Sequence, residues 1–130
     1  MPELQPPGPP GGAAHVQIQF TIDDPDRADR IIEQLLADRV VACGQRTGPV
    51  VSRYWWQGSV ERAEEWLVLL KTRSELGAEV IDAVVQAHPY ETPEVVAVDL
   101  IAGAPGYLSW IDQATAATGT IGRDGETEER

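Results

Sequence analysis

The chain has 130 residues, 42% of them hydrophobic, which sets the expectation of one domain with a core of its own. A formal charge of −11 argues against nucleic-acid binding, which needs clustered Lys and Arg to neutralise phosphates; the same acidity attracts cations, although solubility alone accounts for it. One cysteine, Cys43, cannot build an internal disulfide framework, and no apolar run approaches the roughly 20 residues that span a bilayer.

Residues 1–14 are rich in Pro and Gly and lack the basic start and apolar middle of a secretory signal; they are read as a disordered arm. With one cysteine and no lipidation signal, the expected location is cytoplasmic. Val16, Ile18, Phe20 and Ile22 alternate with Gln17, Gln19 and Thr21, the period of a half-buried strand. Asp23-Asp24-Pro25 then supplies an acidic cap and a proline at the first helical position. Ala28, Ile31, Ile32, Leu35 and Leu36 form one apolar stripe, and the helix is expected to end near Arg39.

Val40 opens a second strand region that Gly44, Gly48 and Pro49 interrupt, which predicts a bend or bulge. The strand resumes over residues 50–57, and Gln57-Gly58-Ser59 is a turn into a third strand over 60–72. The continuous apolar run from Trp66 to Leu70 predicts a strand covered on both faces. A second helix starts at Ser74-Glu75, carries Leu76, Val80, Ile81, Val84 and Val85, and stops at Pro89 just past His88. Residues 94–101 are a fourth strand, and about 107–117 a short last helix with Leu108, Trp110 and Ile111. Residues 119–130 read as an acidic flexible tail, leaving 15–118 as the domain.

The order β-α-β-β-α-β plus a terminal helix is the split βαβ, ferredoxin-like arrangement: an α+β fold with an antiparallel sheet and two helices on one face. Tyr54, Trp55, Trp56 and Trp66 crowd the central hairpin, so the sheet's second face needs a cover, and another subunit is the economical one.

Three stretches carry a resemblance: Ser52-Arg53-Tyr54-Trp55-Trp56-Gln57-Gly58, Glu65-Trp66-Leu67-Val68-Leu69-Leu70-Lys71-Thr72, and His88-Pro89-Tyr90-Glu91-Thr92-Pro93-Glu94. With Ala42-Cys43 before them and Gly106-Tyr107-Leu108-Ser109-Trp110-Ile111 after, the chain resembles the CutA family from about residue 16 to 115. The resemblance implies a homotrimer joined by pairing of sheets through a long bent hairpin, an architecture similar to the PII signalling proteins, with clefts between subunits. It implies a part in divalent metal, especially copper, tolerance, and for animal members a link to anchoring acetylcholinesterase. No reaction is attached to the family, so a binding protein is expected, not an enzyme. Gly44 and Gln45 stand where the family usually has a short apolar residue and Asn, and Ala104-Pro105 where an Asn or Ser commonly precedes the Pro.

Cys43 and His88 are the natural soft metal ligands, suited to Cu²⁺ or another divalent cation, with Glu91 or Glu94 as oxygen donors. No metal-binding spacing joins them, and His15 lies in or near the arm. The competing reading takes Cys43 as a small buried hydrophobe and His88 as a cap on its helix. Lys71 and Thr72, beside the next helix, suit an anion; the alternative is an ion pair with Glu65 or Glu91. Tyr54, Trp56, Trp66, Tyr107 and Trp110 can stack on a ligand or anchor an interface. The expected ligand cleft gathers Trp56, Glu65, Lys71, Thr72, His88, Tyr90 and Glu91, with no required cofactor; the alternative function is a non-catalytic scaffold for protein partners.

Overall fold

A computed structural model describes residues 12–115; the arm over 1–11, the tail and the end of the last expected helix lie outside them. Four strands, β1 (His15–Ile22), β2 (Cys43–Trp56), β3 (Ser59–Arg73) and β4 (Val95–Leu100), form one antiparallel sheet in the order β2-β3-β1-β4. Three helices, α1 (Pro25–Ala37), α2 (Gly77–Ala87) and α3 (Pro105–Ala114), complete it, with a short 3₁₀ turn at Ser74–Leu76 leading into α2. The α+β, ferredoxin-like expectation is what the chain folds into.

Period two sorts the sheet into two faces. Val16, Ile18, Phe20 and Ile22 of β1 join Val68 and Leu70 of β3 under Ala28, Ile31, Ile32 and Leu35 of α1 and Val80 and Val84 of α2. Gly44, opposite Leu70, lies on this face, where a β-carbon would meet Ile32 Cγ2 at 2.6 Å and Leu70 Cδ2 at 3.2 Å. On the opposite face α3 covers only one end of the sheet. His15 Nε2 meets Asp112 Oδ1 at 2.9 Å, and Arg73 holds Thr115 through its hydroxyl and carbonyl. Leu67 and Leu69 stay half-buried there, so the described residues do not supply the full second cover that the run from Trp66 to Leu70 calls for.

Helix α1 starts as the sequence dictates: the Asp24 carboxylate accepts from the backbone N–H of Asp26 and Arg27, and Pro25 follows. It ends two residues earlier than expected. Arg39 adopts φ 61°, its N–H reaches Leu36 O, and the N–H of Val40 reaches Leu35 O, closing a Schellman cap without the usual glycine. The Arg39 guanidinium donates to Ala114 O at 3.1 Å, a bond glycine cannot make. Leu36 falls on the exposed side of the stripe. Below α1, Arg46 binds Asp29 in two hydrogen bonds, which hold that carboxyl below its usual range; both groups are wet, so the pair adds little to stability.

The expected bulge falls between Arg46 and Pro49, where the β2–β3 register shifts by one residue. This slip has a consequence for the site. Before it, Cys43 and Gln45 share a face with Lys71 and Leu69; after it, the even-numbered residues Ser52, Tyr54 and Trp56 take that face, and Trp55 is sent to the other. Beyond Trp66 the β2–β3 hairpin runs past the end of β1 as a two-stranded arm, turning at Gln57 (φ 50°) and Gly58 (φ 90°). Two central residues of positive φ make the tight turn that matches strand twist.

Candidate functional site

A cavity of about 350 Å³ opens on the face opposite α1 and α2, where the arm leaves the sheet. The bulge brings Tyr54 and Trp56 to its wall; Ala63 and Glu65 of β3 form the floor, and Thr21 at the end of β1 closes one side. The link from α2 to β4 contributes Tyr90, Glu91, Thr92 and Glu94, and Asp23 stands at the rim.

That link is fastened to the sheet by His88. One residue past the last β1–β4 pairing, Phe20↔Val95, the carbonyl of Thr21 meets His88 Nε2 at 2.7 Å. The N–H of Tyr90 donates to His88 Nδ1 at 3.2 Å. Nδ1 is therefore the acceptor, and Nε2 carries the hydrogen and donates to Thr21. Edge-on ring contacts with Phe20 (5.9 Å) and Tyr90 (4.5 Å) complete its setting. His88 does end α2, but its ring crosses to Thr21 and does not cap the helix carbonyls. With both nitrogens engaged, its lone pair is not free for a metal.

Tyr90 in turn donates its hydroxyl to Glu65 Oε2 at 2.8 Å, and Thr21 donates to Glu94 Oε1 at 3.4 Å. Burial pushes the Tyr90 phenol well above its ordinary value, the Glu65 hydrogen bond adds to this, and the charges of Glu65 and Asp23 add further. A phenol raised in the folded state lends stability that is fully present below its unfolded value, near pH 10, and lost as pH climbs through the folded value. In an alkaline ultraviolet titration, Tyr90 should therefore ionise above the range of an ordinary phenol. Tyr90→Phe should delete that late step and Glu65→Gln should move it to lower pH; a titration with no step above the ordinary phenol range would contradict this environment.

The other candidates lie elsewhere in the chain. Lys71 is six residues from Glu65 along β3, about 20 Å away; its ammonium donates to Gln45 Oε1 at 3.1 Å, not to Glu65 or Glu91. Thr72 is fully buried on the helix-covered face and donates to Val40 O at 2.6 Å. Cys43 sits opposite Lys71, with the Tyr107 hydroxyl 3.9 Å from its sulfur. Cys43 is level with Gln17 while His88 binds at Thr21, a strand separation of about 13 Å, so one chain does not bring the thiol and imidazole together. Among the described residues no group of three or more His, Cys, Asp or Glu approaches closely enough to hold a metal ion. Trp56, Glu65, Tyr90 and Glu91 do come together. Thr21, Asp23, Ala63 and Thr92 are lining residues the sequence did not single out; of the two consecutive acids before Pro25 only Asp24 caps, and Asp23 lines the cavity.

The family model described as CutA1 divalent ion tolerance protein matches residues 16–114. The chain belongs to this family. It is 38% identical over 99 residues to the divalent-cation tolerance protein CutA of Archaeoglobus fulgidus, covering 76% of this chain and 96% of the relative. The solved structure of CutA from Xylella fastidiosa superposes with a TM-score of 0.77 at 33% identity, over 80% of this chain and all of that one. The Archaeoglobus fulgidus structure, at TM-score 0.76 and 37% identity over 78% of this chain and 99% of its own, is that of a periplasmic divalent cation tolerance protein. That finding overturns the expectation of a cytoplasmic CutA. The physical reason is that a lone cysteine forms no internal disulfide in either setting, so Cys43 carried no information about compartment.

Proposed function

We propose that this chain serves divalent-cation tolerance as a non-catalytic homotrimer that takes a cation at the Glu65–Tyr90 cavity. The observation that carries the reading is the lining itself: Asp23, Glu65, Glu91 and Glu94 contribute four carboxylates, and no Lys or Arg is among the lining residues. Oxygen donors of this kind suit hard divalent ions that keep part of their water shell, while a copper site of thiolate and imidazole does not assemble within one chain.

Calorimetric titration with Mn²⁺ and Cu²⁺ tests the reading. Glu91→Gln should weaken uptake about tenfold, a loss of roughly 1.4 kcal/mol, and Cys43→Ser should leave it unchanged. The reverse pattern would move the metal to the thiol and reject the cavity as its site.

A further inference from the structure

The cavity's dimensions and donor arrangement fit a particular cation better than a bare metal ion. Its volume of about 350 Å³ is that of a small-molecule pocket. Its carboxylates are spread, since among the described residues no three metal-ligating groups converge on a point. They stand at two depths. Glu65 is 4% exposed at the floor, whereas Asp23 and Glu91 are exposed at the rim. The side chains of Tyr54 and Trp56 also line the cavity.

Glu65 is the sharpest feature. Its Oε2 accepts from Tyr90, while Oε1 has no hydrogen-bond partner among the described residues. No fully enclosed side-chain oxygen there lacks a partner, so Oε1 retains access to the cavity space. A carboxylate buried this far is stabilised by a second donor, and an N–H donor carrying positive charge is the best one.

We propose that the cavity binds an aliphatic diamine or polyamine. One primary ammonium donates to Glu65 Oε1, the methylene spacer lies along Trp56 and Tyr54, and the second ammonium reaches Asp23 and Glu91 at the rim. Aromatic faces attract ammonium groups and cover alkyl chain, which a hydrated metal ion does not exploit. A quaternary ammonium has no N–H to offer Glu65, so primary amines are preferred. The assignment rests on the cavity being a cation site, but not on the cation being a metal.

Calorimetry of the full chain with 1,4-diaminobutane, n-butylamine and Mg²⁺ tests it. One diamine per chain should bind at least about tenfold more tightly than the monoamine. Glu91→Gln, Asp23→Asn and Trp56→Leu should each weaken the diamine severalfold; the first two are exposed rim positions whose change leaves the core intact. Glu33→Gln, on the exposed side of α1, should change nothing. Equal affinity for mono- and diamine, or equal loss in Glu33→Gln, would mean general attraction to a chain of charge −11 and would overturn the proposal. Cavity-dependent binding of divalent ions without diamine binding would overturn it while leaving the cation-tolerance reading intact. Cavity-dependent diamine binding without metal uptake would support it and remove the metal from the site.

Discussion

Replacing His88 with alanine should lower unfolding free energy by about 3 kcal/mol, read from urea unfolding at fixed protein concentration. Two losses add. The Thr21 carbonyl, just past the last pairing with β4, loses its donor, and the backbone N–H of Tyr90 loses its acceptor. The removed ring also leaves a void against Phe20, which is fully buried. His88→Phe separates the two terms by keeping a ring while deleting both hydrogen bonds; it should lose about 1–3 kcal/mol. The loss should be the same with and without a chelator, because the imidazole acts between α2, β1 and Tyr90. A chelator-sensitive difference between wild type and His88→Ala would instead make this histidine a metal ligand. A loss under about 1 kcal/mol would show that the link from α2 to β4 holds its place without the histidine.

The same histidine marks where sequence reasoning reached its limit. Periodicity located the strands and helices of the described residues, because Val16 to Ile22 alternates apolar with polar residues and Ala28 to Leu35 carries one stripe for the core. The stiff link around Tyr90 and Glu91 was legible as a candidate through its prolines and its place between two rigid elements, and it does line the cavity. The direction of the His88 ring was not, since a residue at the end of a helix can turn to its own carbonyls or across to a neighbouring strand, and only the position of Thr21 decides between them. Lys71 and Thr72 were grouped with this site, yet β3 is fifteen residues long and holds Glu65 and Lys71 far apart. Thr72 also alternates onto the core face beside Leu70, where its hydroxyl serves the backbone of Val40. The identity of the cavity's aromatic wall depended on a one-residue slip. Glycine and proline at 48 and 49 announced a bulge, but the pairing fixed where it fell and hence that Tyr54 and Trp56, not Trp55, line the cavity.

Light scattering at micromolar concentration should give a mass three times the 14.1 kDa subunit, and Trp55→Glu combined with Val98→Glu should return it to one subunit. The arm beyond Trp66 is two-stranded, and an isolated hairpin of that kind is marginal in water. It nonetheless carries Trp55 at 74% exposed, with Val51 and Val60 also exposed. A second apolar area lies on the open sheet face, where Val96 and Val98 are over 40% exposed beside half-buried Leu67 and Leu69. The arm and the open sheet face are different parts of the molecule. Joining one to the other is therefore a head-to-tail contact, which must close into a ring or grow without end, whereas a twofold dimer would set each patch against itself. Closure at three is the number the family resemblance implies. Like charges placed on both members of the contact should cost several kcal/mol per subunit and leave monomers. A wild-type chain that scatters as a single subunit would mean that these side chains stay in water, and the trimer would fall with it.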